Sequence, residues 1–211
     1  MHVVTISATY GAGGALIGPA VAERLGVPFV DRAIPAAVAD DLGITLDDAL
    51  SRDEQVGGWL SRLLTATAPL SAEWMIGPDH PRAVLLSDAA VLRCTEGVIR
   101  KAVGGEGAVI LGRAAAIVLR DHPGAFHVRL DGDPDRRVRQ AMALQGMRER
   151  AAREAMDRND RARTAYVRHF YGADAASPQH YDLVVDSTRI PIEACTEMIV
   201  SAARSCGGKT G

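Results

Sequence analysis

The chain reads as an α/β protein: a three-layer α/β/α domain on a five-stranded parallel sheet. Three observations predict it. Short apolar runs alternate with stretches of helical periodicity. A glycine-rich turn, Ser7-Ala8-Thr9-Tyr10-Gly11-Ala12-Gly13-Gly14, joins the first run to the first helical stretch. Glycine or polar residues recur just after the apolar runs: Gly11 to Gly14, Asp31-Arg32, Gly112-Arg113 and Asp186-Ser187-Thr188. In a parallel sheet covered by helices, ligands bind beyond the carboxyl ends of the strands, which is where these residues fall.

The first strand, residues 3–6, is β-branched and apolar, as a strand buried on both faces requires. Ile17, Val21 and Leu25 then share one helical face, and Gly26 closes that helix. Pro19 lacks a donor and its ring clashes with the carbonyl four residues back, so the helix is predicted to begin no earlier than about Ala15 or Leu16. Residues 27–30 form a second strand ending at Asp31, and a helix is predicted over 33–42. From 43 to 82, Gly57-Gly58, Pro69, Gly77-Pro78 and Pro81 cut the pattern into short pieces. Trp59, Leu60, Leu63 and Leu64 make an apolar stripe there, fit for a core or for a homodimer interface. A longer helix follows over 84–103.

Residues 108–111 are the third strand, with a helix over 114–120 behind it, and 126–130 are the fourth. Asp133-Pro134 is an N-cap followed by proline at the first helical position, opening a helix that runs to about 147. A second, arginine-bearing helix spans 148–171. The fifth strand is 181–185, and Pro191 opens a last helix over 192–204. Asp186-Ser187-Thr188 reads as a turn leading to Pro191.

Composition limits the function classes. With 211 residues, 47% hydrophobic and 24% charged, the chain suits one globular domain, and 4% aromatics require an aliphatic core. The net charge of −2 and the scarcity of stacking rings argue against nucleic-acid binding, although ten arginines crowd residues 136–168 and should draw anions. No apolar run reaches membrane-spanning length, and the opening MHVVTIS has no signal-peptide pattern, so a cytoplasmic protein is expected. Cys94, Cys195 and Cys206 are widely spaced and match no metal motif, and no metal ligands are assigned.

Successive amides in a glycine-rich turn form an anion cradle, and the following helix adds partial positive charge. Phosphate is the natural guest. Aligned on a Walker A motif with its second glycine at Gly13, the first glycine becomes Ala8, the lysine Gly14 and the serine or threonine Ala15. The cation and the hydroxyl of that motif are both absent. A dinucleotide fingerprint fits less well, because Leu16 stands where its third glycine belongs.

At this point the sequence resembles the cytidylate kinase-like family, a branch of the P-loop nucleoside monophosphate kinases. The carriers are VVTISATYGAGGALIGPAVAERLGVPFVDR, VILGRAA, LDGDPDRRVRQAM, DRNDRARTAYVRHFYG and YDLVVDSTRIPIEAC, in that order along nearly the whole chain. The resemblance implies one P-loop kinase-like domain over 1–211, with an acceptor-side helical insertion at 43–107 and an arginine-rich lid at 148–171. It implies ATP and Mg2+, and transfer of a phosphoryl group to CMP or dCMP. Gly11, Ala12, Gly13 and Gly14 would cradle the ATP phosphates, with Tyr10 packed at the loop. Asp31, Arg113 and Asp160 would face the acceptor. Arg158, Arg161 and Arg163 would act from the lid, partly replacing the missing lysine. Two alternatives stay open: a kinase of another small metabolite, and a nucleotide-binding sensor or partner-binding module without turnover.

Overall fold

The computed structural model describes residues 2–30, 88–112 and 114–207. The elements expected over 31–87, the apolar stripe at Trp59–Leu64, and the site candidates Asp31 and Arg113 lie outside the described residues. In chain order the elements are β1 (His2–Ala8), α1 (Gly14–Leu25), β2 (Phe29–Val30), α2 (Asp88–Val103), β3 (Gly107–Leu111), α3 (Ala115–Val118), β4 (Ala125–Asp131), α4 (Pro134–Gln145), α5 (Glu149–Tyr171), β5 (Leu183–Asp186) and α6 (Ile192–Gly207). A 3-10 turn, Pro178–His180, precedes β5.

The sheet is five-stranded and parallel throughout, in the order β2-β3-β1-β4-β5. Strand β1 is central, paired from Val3 to Ala8 with Ala125 to Leu130 of β4. Its alternating side chains feed two cores. On one face Val4 and Ile6 join Phe126, Val128 and Leu130 against Ile17 and Val21 of α1 and Ile199 and Val200 of α6. On the other, Val3 joins Ala108 and Ile110 against Ile99 and Val103 of α2 and Leu119. Ile17, Ile99 and Ile199 are wholly buried, each worth about 1.5–3 kcal/mol by removal from water. These packings fix the carboxyl ends of β1 and β4 side by side, where the glycine-rich turn begins.

Three boundaries differ from expectation for local reasons. Helix α1 starts at Gly14, not at Ala15 or Leu16, and holds Pro19 inside it. Ala15 and Pro19 are both exposed, so the carbonyl that loses its donor faces water. Strand β5 starts at Leu183 rather than Tyr181, because Asp182 bonds β4 differently: its carboxylate accepts from the His127 amide (2.7 Å) while its own amide donates to the His127 carbonyl (2.7 Å). Helix α3 is shorter than expected, starting after Ala114, which adopts a left-handed backbone (φ 53°).

Candidate phosphate-binding site

The turn between β1 and α1 is tied to the end of β4 through Thr9. The Thr9 amide donates to the Leu130 carbonyl (3.0 Å), and the Thr9 hydroxyl donates to Asp131 Oδ1 (2.9 Å). Gly11 and Gly13 take left-handed conformations, at φ 79° and 74°. A Cβ on Gly11 would stand 2.3 Å from the Arg137 carbonyl oxygen, so only glycine lets α4 press against the turn from behind.

The main-chain groups of the turn are sorted by polarity. Four of its carbonyls are bonded within the protein: Thr9 accepts from the Ala12 amide, Tyr10 from Arg137 Nη1 (3.2 Å), Ala12 from Ser187 Oγ (2.7 Å), and Gly13 from the amides of Leu16 and Ile17. Among the described residues, the amides of Gly11, Gly13, Gly14 and Ala15 have no acceptor. Successive donors without an acceptor among the described residues, beside carbonyls that are bonded, are the arrangement an anion cradle needs. Gln140 of α4 adds to it. Its buried Nε2 has no partner among the described residues and lies 3.0 Å from where a Cβ on Gly13 would be.

Behind the turn sits an ionic cluster in which Arg129 and Arg137 are each only 7% exposed. Arg129 bonds Asp131 Oδ2 through Nε (3.1 Å) and Nη2 (2.7 Å), and donates to the Ala175 carbonyl through Nη1. Its guanidinium lies over the Tyr181 ring, 5.8 Å from the centroid. Arg137 Nη1 donates to Asp160 Oδ2 (2.6 Å), and Arg163 Nη1 stands 3.7 Å from Asp160 Oδ1. Burial pushes the Asp131 carboxyl up, but bonds from Arg129, the Gly132 amide and Thr9 outweigh it and hold the carboxyl below the usual carboxylate value. Burial lowers the Arg163 pKa; Asp160 opposes this, and Arg129 and Arg137 add to it. Arg163 nonetheless stays a cation at neutral pH. Three guanidiniums against two carboxylates leave this cluster one positive charge in excess.

The expected site residues separate into groups. Gly11, Ala12, Gly13 and Gly14 form the turn itself. Tyr10 packs with Val138, Ala141, Ala152 and Met156 between α4 and α5, and its hydroxyl donates to Gln145 Oε1 (2.8 Å). Burial raises its pKa, against the Gln145 bond and the Arg158 charge. Asp160 meets the turn directly, its Oδ1 accepting from the Tyr10 amide (3.1 Å). Arg163 faces inward beside it. Arg158 and Arg161 lie on the exposed side of α5, with Arg161 3.4 Å from Asp157. Asp160, Arg161, Thr164, Ala165 and Arg168 line a shallow, open depression on the surface of α5.

Sequence reasoning missed Arg137 and Gln140, and read Ser187 only as part of a turn after the fifth strand. Arg137 and Gln140 sit on α4 beside the buried Val138 and Ala141, a placement that helical periodicity could have revealed. The strand-end position of Ser187 was legible, but its bond to the Ala12 carbonyl was not, since Ala12 lies 175 positions away.

Comparison with known proteins follows this geometry. Among solved structures the chain is similar to an uncharacterized protein from Eubacterium ventriosum, with 19% identity, a TM-score of 0.66, and coverage of 97% of this chain and 99% of that one. It is also similar to a gluconokinase from Sinorhizobium meliloti (14%, TM-score 0.53, 98% and 93% covered) and to a shikimate kinase from Bacteroides thetaiotaomicron (15%, TM-score 0.51, 97% and 99% covered). These likenesses show a P-loop kinase fold. A uronate isomerase from Corynebacterium glutamicum is 30% identical over 95 residues, 45% of this chain, and the chain spans only 18% of that relative's length. The model of one family matches residues 3–189, taking in the turn, the strand ends and the arginine-bearing helix together, and supports a nucleotide-dependent phosphotransferase. By that match the chain belongs to the cytidylate kinase-like family.

Proposed function

We propose that this protein binds the polyphosphate of ATP on residues 9–15 and transfers its γ-phosphoryl group to a nucleoside monophosphate, CMP or dCMP. An oxygen of the acceptor phosphate bonds to the γ-phosphorus as the bond to the β-phosphate oxygen breaks, giving CDP or dCDP and ADP. The observation that carries this reading is the polarity of the turn: among the described residues four of its amides have no acceptor, while the carbonyls of Thr9, Tyr10, Ala12 and Gly13 are bonded. The orphan Gln140 amide and the excess positive charge behind the turn support it further.

ATP would enter as its magnesium complex, the ion supplying charge neutralisation on the phosphates. The turn does not fit the ion itself: Ala15 has no hydroxyl, and Asp131 is engaged by Thr9, Gly132 and Arg129. Neutralisation by the protein therefore falls to guanidiniums. Arg137 touches the turn, Arg163 stands beside Asp160, Arg158 and Arg161 share the lid helix, and Asp31 and Arg113 would serve the acceptor side. Phosphoryl transfer needs positioning and charge more than covalent chemistry, and arginine suits both tasks.

The experiment is calorimetry with millimolar magnesium-ATP, followed by coupled ADP release against every ribo- and deoxyribonucleoside monophosphate, with gluconate and shikimate as further acceptors. Heat of binding and turnover with CMP or dCMP are expected. Turnover with a different acceptor would select the small-metabolite kinase. Heat without transfer to any acceptor would select the binding protein without turnover, a reading favoured by Gly14 and Ala15. Absence of heat would overturn the ATP site altogether.

A further inference from the structure

Tyr10 is held by both of its main-chain polar groups. Its amide donates to Asp160 Oδ1 (3.1 Å), and its carbonyl accepts from Arg137 Nη1 (3.2 Å). The same Arg137 Nη1 donates to Asp160 Oδ2 (2.6 Å), which closes the ring of contacts. One helix supplies the cation and another the carboxylate, so α4 and α5 jointly grip the outer arm of the turn. The arm next to it carries the free amides of Gly11, Gly13 and Gly14. The Tyr10 carbonyl and the Gly11 amide belong to one planar peptide group, so the bond from Arg137 to that carbonyl also sets the direction of the Gly11 amide.

We propose that Asp160 is a positioning residue for the donor-phosphate turn: it holds the Tyr10 amide directly, and by holding Arg137 against the Tyr10 carbonyl it sets the direction of the Gly11 amide. This differs from a contact with the acceptor nucleotide. The clamp couples the turn to the lid helix, since Asp160 also faces Arg163 on α5. Where the Walker lysine is missing, an outside carboxylate–guanidinium pair joins the Thr9 hydroxyl in organising the turn. A charge-assisted bond to the Tyr10 amide is stronger than a neutral one, which suits a constraint that must persist without ligand.

The clamp itself is independent of any ligand; only its effect on nucleotide affinity rests on the ATP reading. The test uses the full chain with Asp160→Ala and Asp160→Asn. Amide hydrogen exchange at Tyr10 is measured without nucleotide. Magnesium-ATP and CMP binding are then measured separately by calorimetry. Exchange is expected to quicken at least about tenfold in Asp160→Ala and about threefold in Asp160→Asn, which keeps one acceptor oxygen. ATP affinity should fall about tenfold in Asp160→Ala and be partly restored in Asp160→Asn, with CMP affinity unchanged. Unaltered Tyr10 exchange in Asp160→Asn and Asp160→Ala would overturn the clamp, and so would loss of CMP affinity with ATP affinity intact. If the wild-type chain binds no ATP, the exchange measurement alone decides the clamp. If Asp160→Ala does not fold, the threefold change in Asp160→Asn decides it.

Discussion

A single close approach explains why the turn has no lysine. The lysine position is Gly14, and a Cβ there would lie 2.6 Å from the Ala8 Cβ and 3.1 Å from Leu111 Cδ1. A Leu111 methyl can rotate away, but the Ala8 Cβ is fixed to the backbone of β1. Ala8 itself stands at the first glycine position of the motif, so the two departures are one steric arrangement in which Ala8 fills the space that residue 14 would need. Gly14→Lys alone is therefore expected to destabilise the chain by about 1–3 kcal/mol, the usual cost of overpacking. Combining it with Ala8→Gly should recover most of that loss, giving a favourable coupling energy in a double-mutant cycle read by urea unfolding. A single Gly14→Lys variant as stable as wild type would refute the steric account. The missing lysine was legible in the sequence; its cause was not, because Ala8 and Gly14 meet only through the fold of the turn.

Helix α4 is the element that joins turn, cluster and sheet edge. It carries the Arg137 carbonyl behind Gly11, the Arg137 guanidinium on Asp160, and Arg136, whose Nε donates to Thr188 Oγ1 (3.0 Å) and Nη2 to Asp186 Oδ2 (3.0 Å) at the end of β5. Its start is set locally. Asp133 accepts from the Arg136 amide (3.1 Å), and Pro134 holds the first helical position, where its missing donor costs nothing. Asp133 is exposed, so Asp133→Ala isolates the cap: a loss of about 1 kcal/mol is expected by thermal or urea unfolding, and no loss would show that tertiary contacts alone fix the helix start. Such local signals were readable, and the five strands, their parallel order and the cap at Asp133 followed from apolar runs and turn chemistry. The facing of α5 was not readable. Helical spacing separates Arg163 from Arg158 and Arg161, but it cannot say which side turns inward. That depends on Asp160 meeting Tyr10 and Arg137, from segments 150 and 23 positions away.

At the scale of the whole molecule, the sheet holds a polar seam that ties stability to pH. Thr5 and His127 pair across β1 and β4 and are only 1% and 8% exposed, with Thr5 Oγ1 and His127 Nδ1 2.8 Å apart. Alternation along β4 places His127 and Arg129 on one face, opposite Phe126, Val128 and Leu130, and nothing in the sequence marked that face as polar. Burial lowers the His127 pKa; Asp182 pulls it up, His122 pushes it down, and the Leu119 carbonyl pulls it up again, leaving it below the ordinary histidine value of 6.5. The unfolded chain therefore binds the extra proton more readily than the folded one between those two pKa values. Stability is fully present above about pH 6.5 and is lost as pH falls through the folded pKa, by up to about 1.4 kcal/mol per pH unit. Asp131 and Asp186 also sit below their ordinary carboxylate value, but their contributions disappear only at lower pH, as it falls through the carboxylate range. Urea unfolding of wild type and His127→Gln from pH 5 to 8 separates the two effects. The wild-type midpoint should decline below about pH 6.5, and the variant, which cannot take up that proton, should be flatter there. Parallel curves across this range would mean that the His127 ring accepts its proton as easily inside the sheet as in the unfolded chain.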